Sequence, residues 1–537
     1  MKKLLLSCLT LAFGAGLATA QERYLDEIYT EVDLTSGVEF GTNWNFLLGT
    51  PTPGTSLRTD IYEPAGDTET SRAAVVVLHT GNFLPKYLNQ SPTGNNKDSS
   101  IVVTSEMFAK RGYVAFAPNY RLGWQPTNAN PDGRRGTLLQ AVYRSINDAK
   151  TLVRFIKKSV AEDGNPYGIN PDRIIVYGHG SGGYVSLAYG SLDRIEELEN
   201  EISGKWISSS DVLVDPTSPG TSDTLFALNE LYLDPAIVGD VDGFGGVLNE
   251  TNHPGYTNDV LACVNVGGAL GDSAWMEPGE PPLISFHCPD DGFAPFTQGV
   301  VIVPTTSETV VDVVGSRWAI GQANALGNND LFYGANPYTD EYTVAADAAL
   351  ASSHPFLGLN PADYKGLFPF RRASIAPFPF EESSPWDWWD DQTVINNATP
   401  LLGATGAQTM VGQANAGSPT MTANQGKAYL DTIHGFLAPR LHHLINSNVG
   451  VEETEFVNAN TFVYPNPAND YLVVKTREGI RITDVEIFSI TGALVRTENG
   501  LNKLSHQING IDNMTPGLYL VKVTTDNGII TRKVFVD

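Results

Sequence analysis

The chain has 537 residues and is acidic, with 60 Asp and Glu against 34 Lys and Arg and a formal charge of −26. A surface of that sign repels phosphate backbones, so nucleic acid is excluded as a partner, and the length suits about two to four domains. Of three cysteines, only Cys263 and Cys288 lie beyond the first 20 residues; two are too few for a disulfide framework, although an oxidising compartment would permit one bond between them.

Lys2 and Lys3, an apolar run from Leu4 to Leu17 and Ala18-Thr19-Ala20 before Gln21 read as a cleavable secretory signal over residues 1–20. The run is shorter than the roughly 20 residues a membrane-spanning helix needs, and no later segment is long and apolar enough to span. Residues 21–445 read as one α/β domain. Thr55 to Pro64 alternates around Leu57, Thr59 and Ile61, and Ala73 to Leu78 is a continuous apolar run, the pattern of a strand buried on both faces. A helix is predicted over Ile101–Arg111, a strand over Val114–Ala117, and a long amphipathic helix over Thr137–Val160, with Leu139, Val142, Ile146, Ala149, Val153, Ile156 and Val160 at steps of three and four. Arg173–Tyr177, Leu261–Val266 and Leu283–His287 read as further buried strands. The expected fold is a doubly wound, mostly parallel sheet whose ligand edge lies just after Leu78, Tyr177 and Phe286. Residues 196–260 or so, polar and rich in Asp, Pro and Gly, read as a cap insertion over that edge, and a helix is expected at about Gly426 to Ile445. Residues 446–460 form an acidic linker. Residues 461–537 show about seven short strands separated by Gly, Asn and Asp, an all-β immunoglobulin-like sandwich.

That tail opens with Val463-Tyr464-Pro465-Asn466-Pro467-Ala468, continues through Ile487-Phe488-Ser489-Ile490-Thr491-Gly492, and ends with Met514-Thr515-Pro516-Gly517-Leu518-Tyr519 before a final strand. The set resembles the type A C-terminal sorting domain of the type IX secretion system of Bacteroidetes-like bacteria. The resemblance implies the type IX machinery as a partner, passage across the outer membrane, and a product released or held at the cell surface.

Four segments of the α/β region resemble the α/β-hydrolase superfamily, carboxylesterase and feruloyl-esterase-like members in particular. Val77-Leu78-His79-Thr80-Gly81-Asn82-Phe83 stands at the oxyanion loop, with Gly81 and Asn82 as candidate oxyanion groups. Ala109 to Ala115 with Asn119-Tyr120-Arg121-Leu122-Gly123 matches the next helix, strand and turn. Gly178-His179-Gly180-Ser181-Gly182-Gly183 matches the nucleophile elbow, and Pro282 to Asp291 the strand and turn that carry the family's acid, at Asp291.

Acyl transfer needs a nucleophile on a strained turn, a histidine to take its proton, an acid to orient that histidine, and donors for the oxyanion. Aligning Gly178, Gly182 and Gly183 with the family's glycines puts Gly180 at the nucleophile position and Ser181 one residue late. Ser181 is then either a displaced nucleophile or a small polar residue in a first helical turn. For the base, His354 and His434 both stand in the right broad region, and His354 is preferred. Trp386, Trp388 and Trp389 either line a pocket for sugar rings or aromatic esters or pack beneath a long loop. Asp240-Val241-Asp242-Gly243 lacks the distal Glu of a calcium loop, and neither metal nor cofactor is expected. Two functions stand side by side. One is a secreted serine esterase using Ser181, Asp291 and His354 on extracellular esters; the other is a hydrolase-fold protein without its elbow nucleophile that binds a small ester, a carbohydrate or a surface partner.

Overall fold

The computed structural model describes residues 21–47, 51–199, 205–206, 232–302, 309–332, 338–370, 384–419, 422–447, 461–476, 480–490, 493–526 and 528–536. The leader, part of the expected cap (residues 200–204 and 207–231), most of the expected linker, and the Phe378-Pro379-Phe380 segment lie outside these residues. The chain divides into two compact units, Met1–Leu444 and Ile445–Asp537.

The first unit is built on β1 (Val32–Asn45), β2 (Thr52–Pro64), β3 (Arg72–Leu78), β4 (Val114–Pro118), β5 (Ile169–His179), β6 (Ala262–Val266) and β7 (Leu283–His287), with a separate hairpin of β8 (Gln298–Ile302) and β9 (Thr309–Val314) and a last sheet strand, β10 (Leu367–Pro369). Eight of them form one sheet in the order β1-β2-β4-β3-β5-β6-β7-β10. β1 and β2 are antiparallel to their neighbours, and every pair from β4 to β10 is parallel. Every residue of β3, β4, β6 and β7 is buried, as the continuous apolar runs require of strands covered on both faces.

The helices are α1 (Ser99–Lys110), α2 (Pro131–Ala161), α3 (Ser181–Ser191), α4 (Glu196–Glu199), α5 (Pro235–Val238), α6 (Ser316–Ala325), α7 (Glu341–Leu350), α8 (Asp391–Gly417) and α9 (Ala423–Ser447). α2 starts six residues before the apolar periodicity does, because Asn130 accepts the Asp132 amide at 3.0 Å and Pro131 sits in the first turn. The region between β7 and α9, irregular in sequence, contains the hairpin and α6 to α8. Its helices are rich in Ala, Gly and Asn, and α8 is interrupted at Gly403 (φ 71°, ψ 164°), so no apolar stripe announces them.

The second unit comprises β11 (Thr461–Tyr464), β12 (Tyr471–Thr476), β13 (Ile482–Ser489), β14 (Leu494–Glu498), β15 (Ser505–Asn509), β16 (Gly517–Thr525) and β17 (Gly528–Val536). They form two antiparallel sheets, β11-β12-β15 and β14-β13-β16-β17. Along β16 the buried residues are Tyr519, Val521, Val523 and Thr525, a period of two that places one face on a core shared with Leu472, Val474, Ile487 and Ile508.

α2 carries an unusual number of buried polar side chains. The best paired is Asp148, whose oxygens accept from Arg121 Nε at 2.8 Å and from the Arg121 backbone amide at 2.7 Å, both side chains almost fully buried. This pair ties the turn after β4 to the middle of α2. Removing one member leaves the other charge without compensation, so Asp148→Ala should lower unfolding free energy by about 3–5 kcal/mol in urea titrations.

Candidate active site

β5 runs into α3 through a single residue, Gly180, at φ 52° and ψ −115°. Its amide donates to Val266 O at 2.8 Å, and its carbonyl accepts from the amides of Gly183 and Tyr184. The glycines around it are dictated by backbone proximity. A Cβ on Gly178 would overlap Gly182 O, one on Gly182 would lie 2.5 Å from Leu78 O, and one on Gly183 would overlap Asn265 Oδ1. Gly180 therefore holds the apex of the turn, two residues from a required glycine on either side, the position that the α/β-hydrolase resemblance assigns to the nucleophile. A Cβ there would overlap Thr80 Oγ1 and lie 3.2 Å from Trp386 Cζ2.

Ser181 opens α3 and is buried, with its Oγ 3.2 Å from Tyr120 Oη. Tyr120 donates its one proton to His79 O at 2.7 Å, so the Ser181 hydroxyl is the donor in the serine–tyrosine pair. The Ser181 proton thus points to a phenol oxygen rather than to an imidazole. Burial pushes the Tyr120 phenol upward, so it stays protonated.

The structure does not join Ser181, Asp291 and His354. The Asp291 carboxylate accepts from the amides of Phe293 at 2.7 Å and Ala294 at 3.0 Å and lies 3.4 Å from His287 Nε2. His354 pairs instead with the adjacent acid, Nε2 to Asp290 Oδ2 at 2.7 Å, while its Nδ1 accepts the Phe356 amide at 3.3 Å. His354 precedes β10 in the chain, and it is Trp386, which follows β10, that stands at the elbow turn. Trp386 stacks on His179 with ring centroids 5.6 Å apart, and a Cβ on Gly267 would come within 2.8 Å of its indole. Asp291 Oδ2 lies 4.0 Å from that same Gly267 point, so indole fills the space beside the acid. His434 is buried on α9 against Phe108, far below its usual pKa because burial disfavours its charge. In the oxyanion loop, Gly81 has φ 137° and abuts Gly94, and Asn82 is exposed at φ 57°.

Sequence reasoning passed over Asp290, which is adjacent to the acid that the family register selects, and had no basis for choosing Trp386 from its aromatic cluster. Its neighbours do other work. Gly426 abuts the Trp388 indole, and Trp389 packs against the α8 cluster of Val394, Ala398, Ala407, Met410 and Val411. Cys263 and Cys288 are both buried and are not joined to each other by a disulfide. Among the described residues no group of three or more His, Cys, Asp or Glu side chains gathers as a metal site, and no helix is long and apolar enough to cross a membrane.

Residues 59–216 match the BD-FAE family, and residues 462–537 match the secretion system C-terminal sorting domain. No curated protein matches the chain. Solved structures similar to it include Thermogutta terrifontis esterase 2 phosphorylated by paraoxon, at 18% identity, covering 61% of this chain and 95% of that one with a TM-score of 0.30. The propionate-bound form of the same thermophilic esterase is 18% identical over 48% of this chain and 75% of its own, with a TM-score of 0.26. The chain carries an esterase-like α/β-hydrolase domain followed by a type IX secretion sorting domain, which directs it to the cell surface or beyond.

The elbow is walled by neutral histidines. Burial lowers His179 from 6.5 to about 3 and His79 from 6.5 to about 4. A histidine whose folded pKa is depressed takes up protons in the unfolded chain first, so its contribution to stability is complete above pH 6.5 and lost progressively below that. The loss approaches about 1.4 kcal/mol per pH unit for each such group. His179→Gln should therefore flatten the fall in urea stability between pH 6 and pH 4 relative to the wild type. Parallel slopes in the two proteins would contradict a neutral, buried His179.

Proposed function

We propose that this is an exported hydrolase-fold protein that binds a ligand through its α/β domain and does not use an elbow nucleophile to cleave esters. The observation that carries the reading is Gly180 at the apex of the turn, with Thr80 Oγ1 and the Trp386 indole in the space a nucleophilic side chain would need. A nucleophile without a base gains nothing from the fold, and Ser181, the nearest hydroxyl, donates to Tyr120 instead. A second reading, ester hydrolysis by an unconventional site, is favoured by the His354–Asp290 pair, which has the acid–base half of a triad.

The proposed layout is a cleaved leader over residues 1–20, a hydrolase-like domain over 21–445 with a cap at about 196–260, a linker over 446–460 and a sorting domain over 461–537, in a Bacteroidetes-like bacterium. The sorting-domain match and the division of the chain near Leu444 support that layout.

Two experiments test these proposals. A fluorophosphonate should leave the wild type unlabelled. It should also leave Gly180→Ser unlabelled, and that variant should be less stable than the wild type, because the serine must take a positive φ and displace Thr80. Stoichiometric labelling of the wild type that vanishes in Ser181→Ala would make the protein an active esterase. Separately, deleting residues 460–537 should leave a folded α/β domain trapped in the periplasm. Normal amounts of the truncated chain outside the cell would refute the sorting role.

A further inference from the structure

The loop that carries Asp290 and Asp291 continues to Gln298 and there borders an open groove of about 350 Å³ formed with α6 and Tyr364. The groove is built by helical spacing. Arg317, Trp318, Gly321 and Gln322 stand at steps of one, three and four along α6 and share one face, while Ala319, Ile320 and Ala323 turn the other face to the core and are fully buried. Gly321 leaves room for Tyr364, since a Cβ there would come within 3.0 Å of the tyrosine ring. Two aromatic side chains, each half-buried and packed on the core, thus wall one recess.

Among the described residues the Trp318 indole N–H, the Tyr364 hydroxyl and the side-chain amides of Gln298 and Gln322 make no hydrogen bond within the protein. Arg317 donates to Phe356 O at 3.2 Å and has no carboxylate partner among those residues. In a chain with 60 acidic against 34 basic residues, an arginine with no acid against it among the described residues, beside two aromatic rings, is a specific chemical feature. A guanidinium offers paired donors matched to a carboxylate, aromatic faces accept the C–H face of a pyranose, and amides both donate to and accept from vicinal hydroxyls. Waters and a ligand's hydroxyls compete for such donors on similar terms, so stacking and the charge pair supply the preference.

We propose that this groove is a carbohydrate subsite that takes an acidic sugar, a uronate residue of an extracellular polysaccharide, with Arg317 on the carboxylate and the ring against Trp318 and Tyr364. The site lies on residues distinct from Gly180, Ser181 and Trp386, so it stands whether or not the elbow is catalytic, and fluorophosphonate labelling reads the elbow independently.

The test is calorimetry and saturation-transfer NMR on the purified full chain with oligomers of galacturonate, glucuronate and mannuronate, and with cellotetraose as a neutral probe. At least one uronate oligomer should bind, and bind at least tenfold more tightly than cellotetraose. Trp318→Ala should weaken that binding at least tenfold, with Trp318→Phe recovering most of it. Arg317→Gln should abolish the preference for the acidic sugar while leaving the circular dichroism spectrum and melting temperature unchanged. Binding of none of the three uronates at millimolar concentration would overturn the proposal. So would binding that is indifferent to charge, or binding that Trp318→Ala leaves intact.

Discussion

The first unit is organised by how closely β5 and α3 approach β3 and β6. At Gly178, Gly182 and Gly183 the neighbouring backbone or side-chain atoms stand where any Cβ would be, so the crossing is closer than side chains allow. Close packing of this kind transmits position, and a shift of a few tenths of an ångström at α3 would be felt at Leu78 O, at Asn265 and at the turn itself. The burial of every residue in β3, β6 and β7 follows, because a sheet so tightly covered by helices has no wet face. The same approach forces one residue to take the tight, positive-φ corner of the turn, and that residue is Gly180.

What surrounds the corner is apolar or neutral. His79 lies flat on Tyr120 with ring centroids 4.2 Å apart, His179 lies under Trp386, and both imidazoles are held uncharged by burial. An imidazole–carboxylate pair stands farther along the chain, at the loop after β7, where His354 meets Asp290 and where the groove with Arg317 begins. Aromatic rings have opposite uses in the two places. Trp386 closes a recess by stacking within the protein, whereas Trp318 and Tyr364 stand half-buried with polar atoms left for an outside partner.

The sheet was legible because buried parallel strands leave unbroken apolar runs, and Ala73–Leu78, Leu261–Val266 and Leu283–His287 sit within a residue of the observed strands. Glycine spacing also marked the tight turn between β5 and α3, where proximity imposes residue identity and Gly180 takes a positive φ. Side-chain partnerships did not carry through in the same way. Asp290 and Asp291 are equivalent as sequence, and only the direction in which the loop after β7 turns assigns one to His354 and the other to the amides of Phe293 and Ala294. Likewise Trp386, Trp388 and Trp389 are indistinguishable as sequence, and only the folded chain sets which of them reaches Gly180. Helices α6 to α8 escaped notice because tertiary contacts, not a strong amphipathic stripe, hold Ala- and Gly-rich segments helical.

The overlap of three side-chain positions at the corner makes the arrangement hard to leave by single steps. A serine at position 180 meets Thr80, so it is disfavoured until residue 80 becomes smaller; a smaller residue 80 with glycine still at 180 opens a void beneath Trp386; and moving Trp386 first uncovers His179. Each change is unfavourable alone and acceptable only with the others, which is strong epistasis among neighbours in contact. A corner with serine at position 180 and this one are thus separate basins for the same backbone, and a route between them passes through less stable intermediates or through simultaneous substitution.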